Sequence, residues 1–260
     1  MYKYIKKLVT QIKYNQPLII NVTNYVTMDF IANGLLSLGA SPMMTQSIQE
    51  INDLLKATNA VVINIGTLNE EFIFLCEKVC VEANRLGIPI VLDPVGAGAS
   101  DYRTNTCLNL LERFNFSIIR GNASEVMALS NMHQNTKGVD TNISTHLAIK
   151  GAQILSSQYN VVIAISGKTD AVIDKNHSCL FDRGSPLMPK ITGSGCLLSA
   201  VVGTFNAVHH DRFDATAAAV LFYSVCGELA AMHVNSPGSF KPHFLDALSF
   251  LPESHDYETN

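Results

Sequence analysis

The residues best suited to chemistry lie between Ile191 and Thr204, in the run ITGSGCLLSAVVGT. Gly193 and Gly195 let the backbone turn tightly and bring amide N–H groups against a ligand. Thr192 and Ser194 add hydroxyls at what reads as a helix entrance. The unpaired N–H groups and positive dipole end of such a helix form an anion site. Cys196 falls in the first turn, where the same field favours a thiolate. The residues that follow are almost all small or apolar, so the helix is buried and presents its loop from a fixed base.

That loop needs a frame, and the rest of the chain supplies one by regular alternation. Continuous apolar runs at residues 17–21, 41–44, 60–66, 88–93, 116–122 and 160–167 lack period-two alternation, as strands covered on both faces do. Helical patterns separate them. They cover residues 1–15, 28–38 with Gly39 as C-cap, 70–86 stopped by Gly87, and 104–114. Further helices are expected from residue 123, within 142–157, from 214 to about 233, and over 244–250. Ser47 and Glu50 have the spacing of a capping box, and Asp214 is placed to cap the long alanine-rich helix. Residues 169–174 and 178–182 read as a hairpin turning at Lys175–Asn176. The tail from Glu253 is polar and reads as frayed. The prediction is a single α/β domain over residues 1–260, with a mostly parallel central sheet and helices on both faces.

In such a sheet ligands bind beyond the carboxyl ends of the strands. The residues just after the apolar runs are Asn21, Asn24, Met44, Asn64, Gly66, Asp93, Arg120, Asn122, Glu125, Ser166 and Gly167. Each has an ordinary structural alternative: Asp93 as a turn former, Glu125 as a first-turn helix charge, Arg120 as an ion-pair partner. Together they have the parts that phosphoryl transfer needs. Carboxylates can hold Mg²⁺ directly or through water. An arginine fork meets phosphate oxygens, and a backbone nest binds the transferring group.

Other chemistries find less support. The 260 residues carry a formal charge of -4 and no basic run, which argues against a nucleic-acid face. Gly96-Ala97-Gly98-Ala99 lacks the third glycine of a dinucleotide fingerprint, and there is no P-loop and no nucleophile elbow. The eight histidines have no ligand spacing. The six cysteines form no C-x-x-C pair, and Cys76 and Cys80 read as core thiols on one helix face. No signal-peptide pattern and no uninterrupted apolar run of roughly 18 residues is present, so a soluble cytoplasmic protein without a membrane partner is expected.

The motifs NVTNYVTMDFIANGLLSLGASPMM, INIGTL, PIVLDPVGAGAS, IIRGNASEV, ISGKTDAV, ITGSGCLLSAVVGTF and PGSFKPHFLDAL follow one another from about residue 17 to 250. In this combination and order the chain resembles the hydroxyethylthiazole kinase family of thiamine salvage. That resemblance implies a ribokinase-like three-layer α/β/α fold. It also implies transfer of the ATP γ-phosphoryl group to the hydroxyl of 4-methyl-5-(2-hydroxyethyl)thiazole, with Mg²⁺. By motif position Met44, Asn24, Val26 and Gly193 resemble substrate contacts. Asp93 and Glu125 resemble the metal-side acids, and Arg120, Ser166 and Asn122 the ATP contacts. Gly193, Ser194 and Gly195 resemble the anion hole, and Cys196 stands where most ribokinase-like kinases carry an aspartate base. The family is typically a homotrimer with sites between subunits. This chain departs from common family usage at Ile20, near a frequent histidine, and at Ser166, where threonine is common. Rival readings are a hydroxymethylpyrimidine kinase, a repair dehydratase of the same fold, and a nucleotide or thiazole sensor without chemistry.

Overall fold

Successive residues of each strand enter different layers. In a computed structural model describing residues 2–130 and 145–251, Ile19, Ala60, Val62, Val91, Val162 and Ala164 face one core. Ile20, Val61, Ile63, Ile90, Leu92, Ile163 and Ile165 face the other. This is the period of two expected of strands with both faces covered, and it produces three layers from runs that look featureless in sequence.

In chain order the elements are α1 (Tyr2–Asn15), β1 (Leu18–Val22), α2 (Met28–Leu38), β2 (Ser41–Met44), α3 (Ile51–Leu54), β3 (Ala60–Asn64), α4 (Glu70–Leu86), β4 (Ile90–Asp93) and α5 (Asp101–Arg113). There follow β5 (Ile118–Asn122), α6 (Ala123–Leu129), α7 (Thr145–Tyr159), β6 (Val162–Ser166), β7 (Asp170–Ile173), β8 (Ser178–Phe181), α8 (Ser194–Val208), α9 (Arg212–Ala231) and α10 (Pro237–Ser249). The sheet order is β2-β1-β3-β4-β5-β6-β7-β8. The first six of these strands are parallel, and the β7–β8 hairpin adds two antiparallel strands at one edge. Helices α1, α2, α8, α9 and α10 cover one face, and α3 to α7 the other. This is the expected α/β arrangement with its hairpin.

Several boundaries differ from expectation for identifiable reasons. Ser47 accepts from the Gln49 N–H, but Glu50 takes the Thr45 hydroxyl at 2.5 Å instead of closing a capping box. The segment therefore opens as a short 3₁₀ turn. Asp211, not Asp214, caps α9 by accepting from the Asp214 N–H. Ser100 caps α5 through the Arg103 N–H, so that helix begins three residues early. Pro237 suits the first turn of a helix, and α10 starts there, burying Phe240 and Phe244. Residues 142–144 of the expected seventh helix and the tail from Glu253 lie outside the described residues. Helix α9 is long and apolar enough to cross a bilayer, yet 78% of its apolar window is buried inside the protein.

Helix α8, the base of the glycine loop, packs against β3, β4, α2 and α9, and its contact with α2 is made at Gly34. A Cβ there would stand 2.4 Å from a methyl of Leu197, itself fully buried. Alanine favours helix by about 1 kcal/mol over glycine, but overpacking a filled core costs about 1–3 kcal/mol. Gly34→Ala should therefore lower stability, by up to about 2 kcal/mol, in urea unfolding. An unchanged or raised midpoint would show that α2 and α8 can separate freely.

Candidate functional site

The carboxyl ends of β1, β3, β4, β5 and β6 meet the amino end of α8, and Asp93 lies at the centre of that rim. Its side chain has no solvent exposure. Oδ2 accepts from Asn64 Nδ2 at 2.7 Å and from Ser199 Oγ at 2.8 Å. Among the described residues Oδ1 has no hydrogen-bond partner, and the Arg120 guanidinium stands 4.0 Å from it. Burial pushes the Asp93 carboxyl up to about 6. The Arg120 charge opposes that rise, the Glu125 charge adds to it, and the Ser199 and Asn64 hydrogen bonds restrain it.

Arg120 comes from β5, is 7% exposed, and donates to the Ser166 hydroxyl at the end of β6. Its Nε has no partner. The guanidinium lies directly on Gly195, where a Cβ would be 2.7 Å from one of its nitrogens. The two loop glycines thus have different jobs. Gly193 has φ +92°, the left-handed conformation that begins α8. Gly195 is helical, and its missing side chain makes room for Arg120. No side chain caps α8, which leaves first-turn N–H groups facing the rim with the helix dipole behind them. Tyr223, buried in α9, donates to the Ser194 carbonyl at 2.5 Å and pins the loop from below.

The β1 side of the rim is a continuous polar chain. Asn24 donates through Nδ2 to Asn64 Oδ1 at 3.0 Å and to Cys196 Sγ at 3.4 Å. Its Oδ1 accepts from the Thr27 N–H and hydroxyl. Asn64 also accepts from the Gly66 N–H at 3.0 Å. Cys196 is half-buried, and its thiol is raised above the ordinary value. Burial is the main cause and the Asp93 charge adds to it, while the Asn64 and Thr27 side chains and Arg120 act the other way. The expected lowering by the helix end is overridden, so the thiol is more protonated than a free cysteine. Met44 ends β2 beside Asn21 and is half-buried against the core. Val26 is 70% exposed, with Tyr25 exposed beside it.

Glu125 closes the other side. Its carboxylate accepts from the Gly96 N–H at 2.9 Å and the Asn122 N–H at 2.8 Å, and Asn122 caps α6 in return through the Glu125 N–H. Asn122 itself is exposed and also accepts from Ser124. Among the described residues no three His, Cys, Asp or Glu side chains converge on a metal position. The donor set does fit a hard cation. Asp93 Oδ1 is a buried oxygen without a partner, and the Glu125 carboxylate keeps further lone pairs beyond its two amide bonds. Mg²⁺ takes one or two carboxylates and fills the rest with water and phosphate oxygens.

Sequence reasoning brought Asn24, Met44, Asp93, Arg120, Asn122, Glu125, Ser166 and the glycine loop to one edge, and they are at one edge. It assigned no role to Ser199, Tyr223, Asp170 or Arg103. Asp170 holds the Gly167 N–H and the Ser224 hydroxyl, and Arg103 ties the carbonyls of Ile65, Gly66 and Val95 together. A carboxylate at the start of an apolar strand was the available signal for Asp170. Nothing distinguished Ser199 from an ordinary small helix residue. Cys76 and Cys80 are fully buried core thiols, pushed up by burial as expected.

A profile described as the hydroxyethylthiazole kinase family matches residues 9–254. The hydroxyethylthiazole kinase of Desulfotalea psychrophila is 42% identical over 238 residues, covering 92% of this chain and 87% of the relative. That of Clostridium tetani is 39% identical over 264 residues, covering 98% and 95%. Among solved structures, the hydroxyethylthiazole kinase protein of Pyrococcus horikoshii superposes with a TM-score of 0.87 at 34% identity, over 95% of this chain and 93% of that one. A ribokinase-like superfamily protein of Enterococcus faecalis matches with a TM-score of 0.66 at 11% identity, over 95% and 94%, and shows the fold alone.

The burial of Asp93 has a cost that can be measured. Its carboxyl titrates near 3.8 when unfolded and about 6 when folded. Between those values the folded state binds the extra proton, so this group's contribution to stability falls as pH rises from about 4 to about 6. The full shift corresponds to about 3 kcal/mol. Without nucleotide or metal, Asp93→Asn should therefore be more stable than wild type by about 1–3 kcal/mol at pH 7, and by much less at pH 4. Urea unfolding at both pH values checks this; an equal difference at both would mean that Asp93 is not buried as a charge.

Proposed function

The chain belongs to the hydroxyethylthiazole kinase family, and from that premise we propose how its rim transfers a phosphoryl group. The enzyme phosphorylates the alcohol of hydroxyethylthiazole. The alcohol oxygen bonds to the γ-phosphorus of ATP and gives up its proton to Cys196 Sγ or to solvent, the bond from that phosphorus to the β,γ-bridging oxygen breaks, and ADP leaves. The observation that carries the proposal is the convergence of Arg120 and the uncapped end of α8 on the same glycine. Transfer of this kind depends mainly on alignment and on neutralising charge over the phosphoryl oxygens.

In this reading the α8 N–H groups at Gly193, Ser194 and Gly195 hold the transferring group, and Arg120, positioned by Ser166, meets ATP oxygens with Asn122 nearby. Asp93 and Glu125 hold Mg²⁺, which when bound neutralises phosphate charge. Asn24, Met44, Gly193 and Val26 face the thiazole. The half-buried Met44 and buried Asn24 support a pocket wall, and the exposed Tyr25 and Val26 support its completion by a second subunit of a homotrimer. A cytoplasmic location accords with a metabolic role.

Cys196 occupies the position of a general base, but the raised thiol is a weak one. A general base is worth about 10²–10⁴-fold, and a largely protonated thiol supplies only the lower part of that range. Its hydrogen bond from Asn24 gives it a second use, orienting the substrate-side amide. Two measurements test the reading. ADP release from ATP and Mg²⁺ should rise on adding hydroxyethylthiazole and not on adding hydroxymethylpyrimidine; the reverse pattern would assign the sister activity. Cys196→Ala should fold and keep measurable turnover, reduced by about 10²-fold or less, and Cys196→Asp should keep or improve it. Complete loss in a folded Cys196→Ala enzyme would show that the thiol is the essential base.

A further inference from the structure

Ser194 stands between two glycines, so the backbone that opens α8 is intrinsically free to rotate. No side chain caps the helix, and the Ser194 N–H meets the Ile191 carbonyl at 3.5 Å, longer than a good hydrogen bond. The short bond at this point comes from another helix. The Tyr223 hydroxyl, in α9, donates to the Ser194 carbonyl at 2.5 Å. That donor is itself fixed. Tyr223 is buried, and its ring stands edge-on to the buried Phe244 of α10, with 4.8 Å between centroids and 78° between planes. Burial pushes the hydroxyl well above its ordinary range, so it remains a proton donor.

A trans peptide is planar, so the C=O of Ser194 and the N–H of Gly195 point in opposite directions across one rigid unit. Holding the carbonyl therefore aims the amide. Gly195 is the second residue of α8, and first-turn amides have no partner within their own helix. A hydrogen bond onto the carbonyl also polarises the unit and makes its N–H a stronger donor. The next residue of α9 serves the arginine side. Ser224 donates to Asp170 at 2.7 Å, Asp170 accepts from the Gly167 N–H at 3.0 Å, and the adjoining Ser166 accepts from Arg120. Two adjacent residues of α9 thus set the loop and the strand end that steadies Arg120, which packs on Gly195.

We propose that Tyr223 is a positioning residue for phosphoryl transfer, acting through the Ser194 carbonyl to aim the Gly195 N–H at the transferring group. This rests on the reading of the α8 entrance as the anion hole. The hydroxyl meets neither substrate; its effect reaches the reaction through one peptide unit. Without it the amide loses its direction, while Arg120, held through Ser166, keeps its place. Ground-state binding of ATP is then preserved and stabilisation of the transition state is lost.

The test compares the full-length wild type with two variants. Tyr223→Phe keeps the buried ring and removes only the hydroxyl. Phe222→Leu loosens the neighbouring packing of α9 on Phe205 and leaves the bond to Ser194 in place. ADP release from ATP and Mg²⁺ is measured with hydroxyethylthiazole. Removing one oxyanion donor costs about 10²–10³-fold, and misdirecting one costs less, so Tyr223→Phe should lower kcat by about 10- to 100-fold. KM for both substrates should stay within about twofold, and Phe222→Leu should keep the wild-type kcat. ADP with aluminium fluoride, which mimics the phosphoryl group in transfer, should bind Tyr223→Phe about tenfold more weakly than wild type, with ADP alone unchanged. A wild-type kcat in Tyr223→Phe, or an equal loss in Phe222→Leu, overturns the role of Tyr223 and leaves the anion hole standing. A wild-type protein that binds ADP equally with and without aluminium fluoride overturns the anion hole, and the proposal with it.

Discussion

One buried carboxylate organises the polar rim at the carboxyl ends of the strands. Asp93 ends β4, and its two oxygens are treated differently by their surroundings. One is held by Asn64 and Ser199. The other is left without a hydrogen bond, facing Arg120 at 4.0 Å. Burying a charge is costly unless partners compensate it, and here compensation is partial. The rim thus stores an attraction for a further positive group.

The arrangement spreads outward from that charge. Asn64 connects Asp93 to Asn24, and Asn24 connects to Cys196, so the end of β4 and the start of α8 share one polar chain. Burial chiefly, and the Asp93 charge after it, discourage ionisation of the nearby thiol. Behind the rim, Tyr223 on the Ser194 carbonyl and Leu197 against Gly34 hold the start of α8 from two sides. A loop built from small residues stays fixed because its supports are buried.

Much of this was legible in the sequence because it rests on local rules. Gly193 opening a buried helix, Gly39 and Gly87 in left-handed caps, and apolar runs without alternation all report backbone demands that a sequence states directly. The identities of the rim residues followed from reading the ends of the apolar runs, where Met44, Asn64, Asp93 and Ser166 prove to be the last residues of their strands. The electrostatics did not follow, since the state of Cys196 depends on its burial and on Asp93, Asn64, Thr27 and Arg120, all distant in sequence. The helix expected over 244–250 was read too short; Pro237 occupies its first turn and Pro242 lies inside it. Asp211 and Asp214 could each have capped α9, and only the hydrogen bond decides between them. Gly195 was read as a turn glycine, whereas its absent side chain serves an arginine from a distant strand.

The ionisation of Cys196 tests the central claim most directly, namely that the buried charge of Asp93 sets the chemistry of the rim. Cysteine labelled with ¹³C at Cβ allows its titration to be followed in wild-type and Asp93→Asn protein. The expected result is a thiol that titrates above the ordinary cysteine value in wild type and moves downward in Asp93→Asn. A thiol titrating below the ordinary value, unmoved by Asp93→Asn, would contradict it and make Cys196 a true thiolate base.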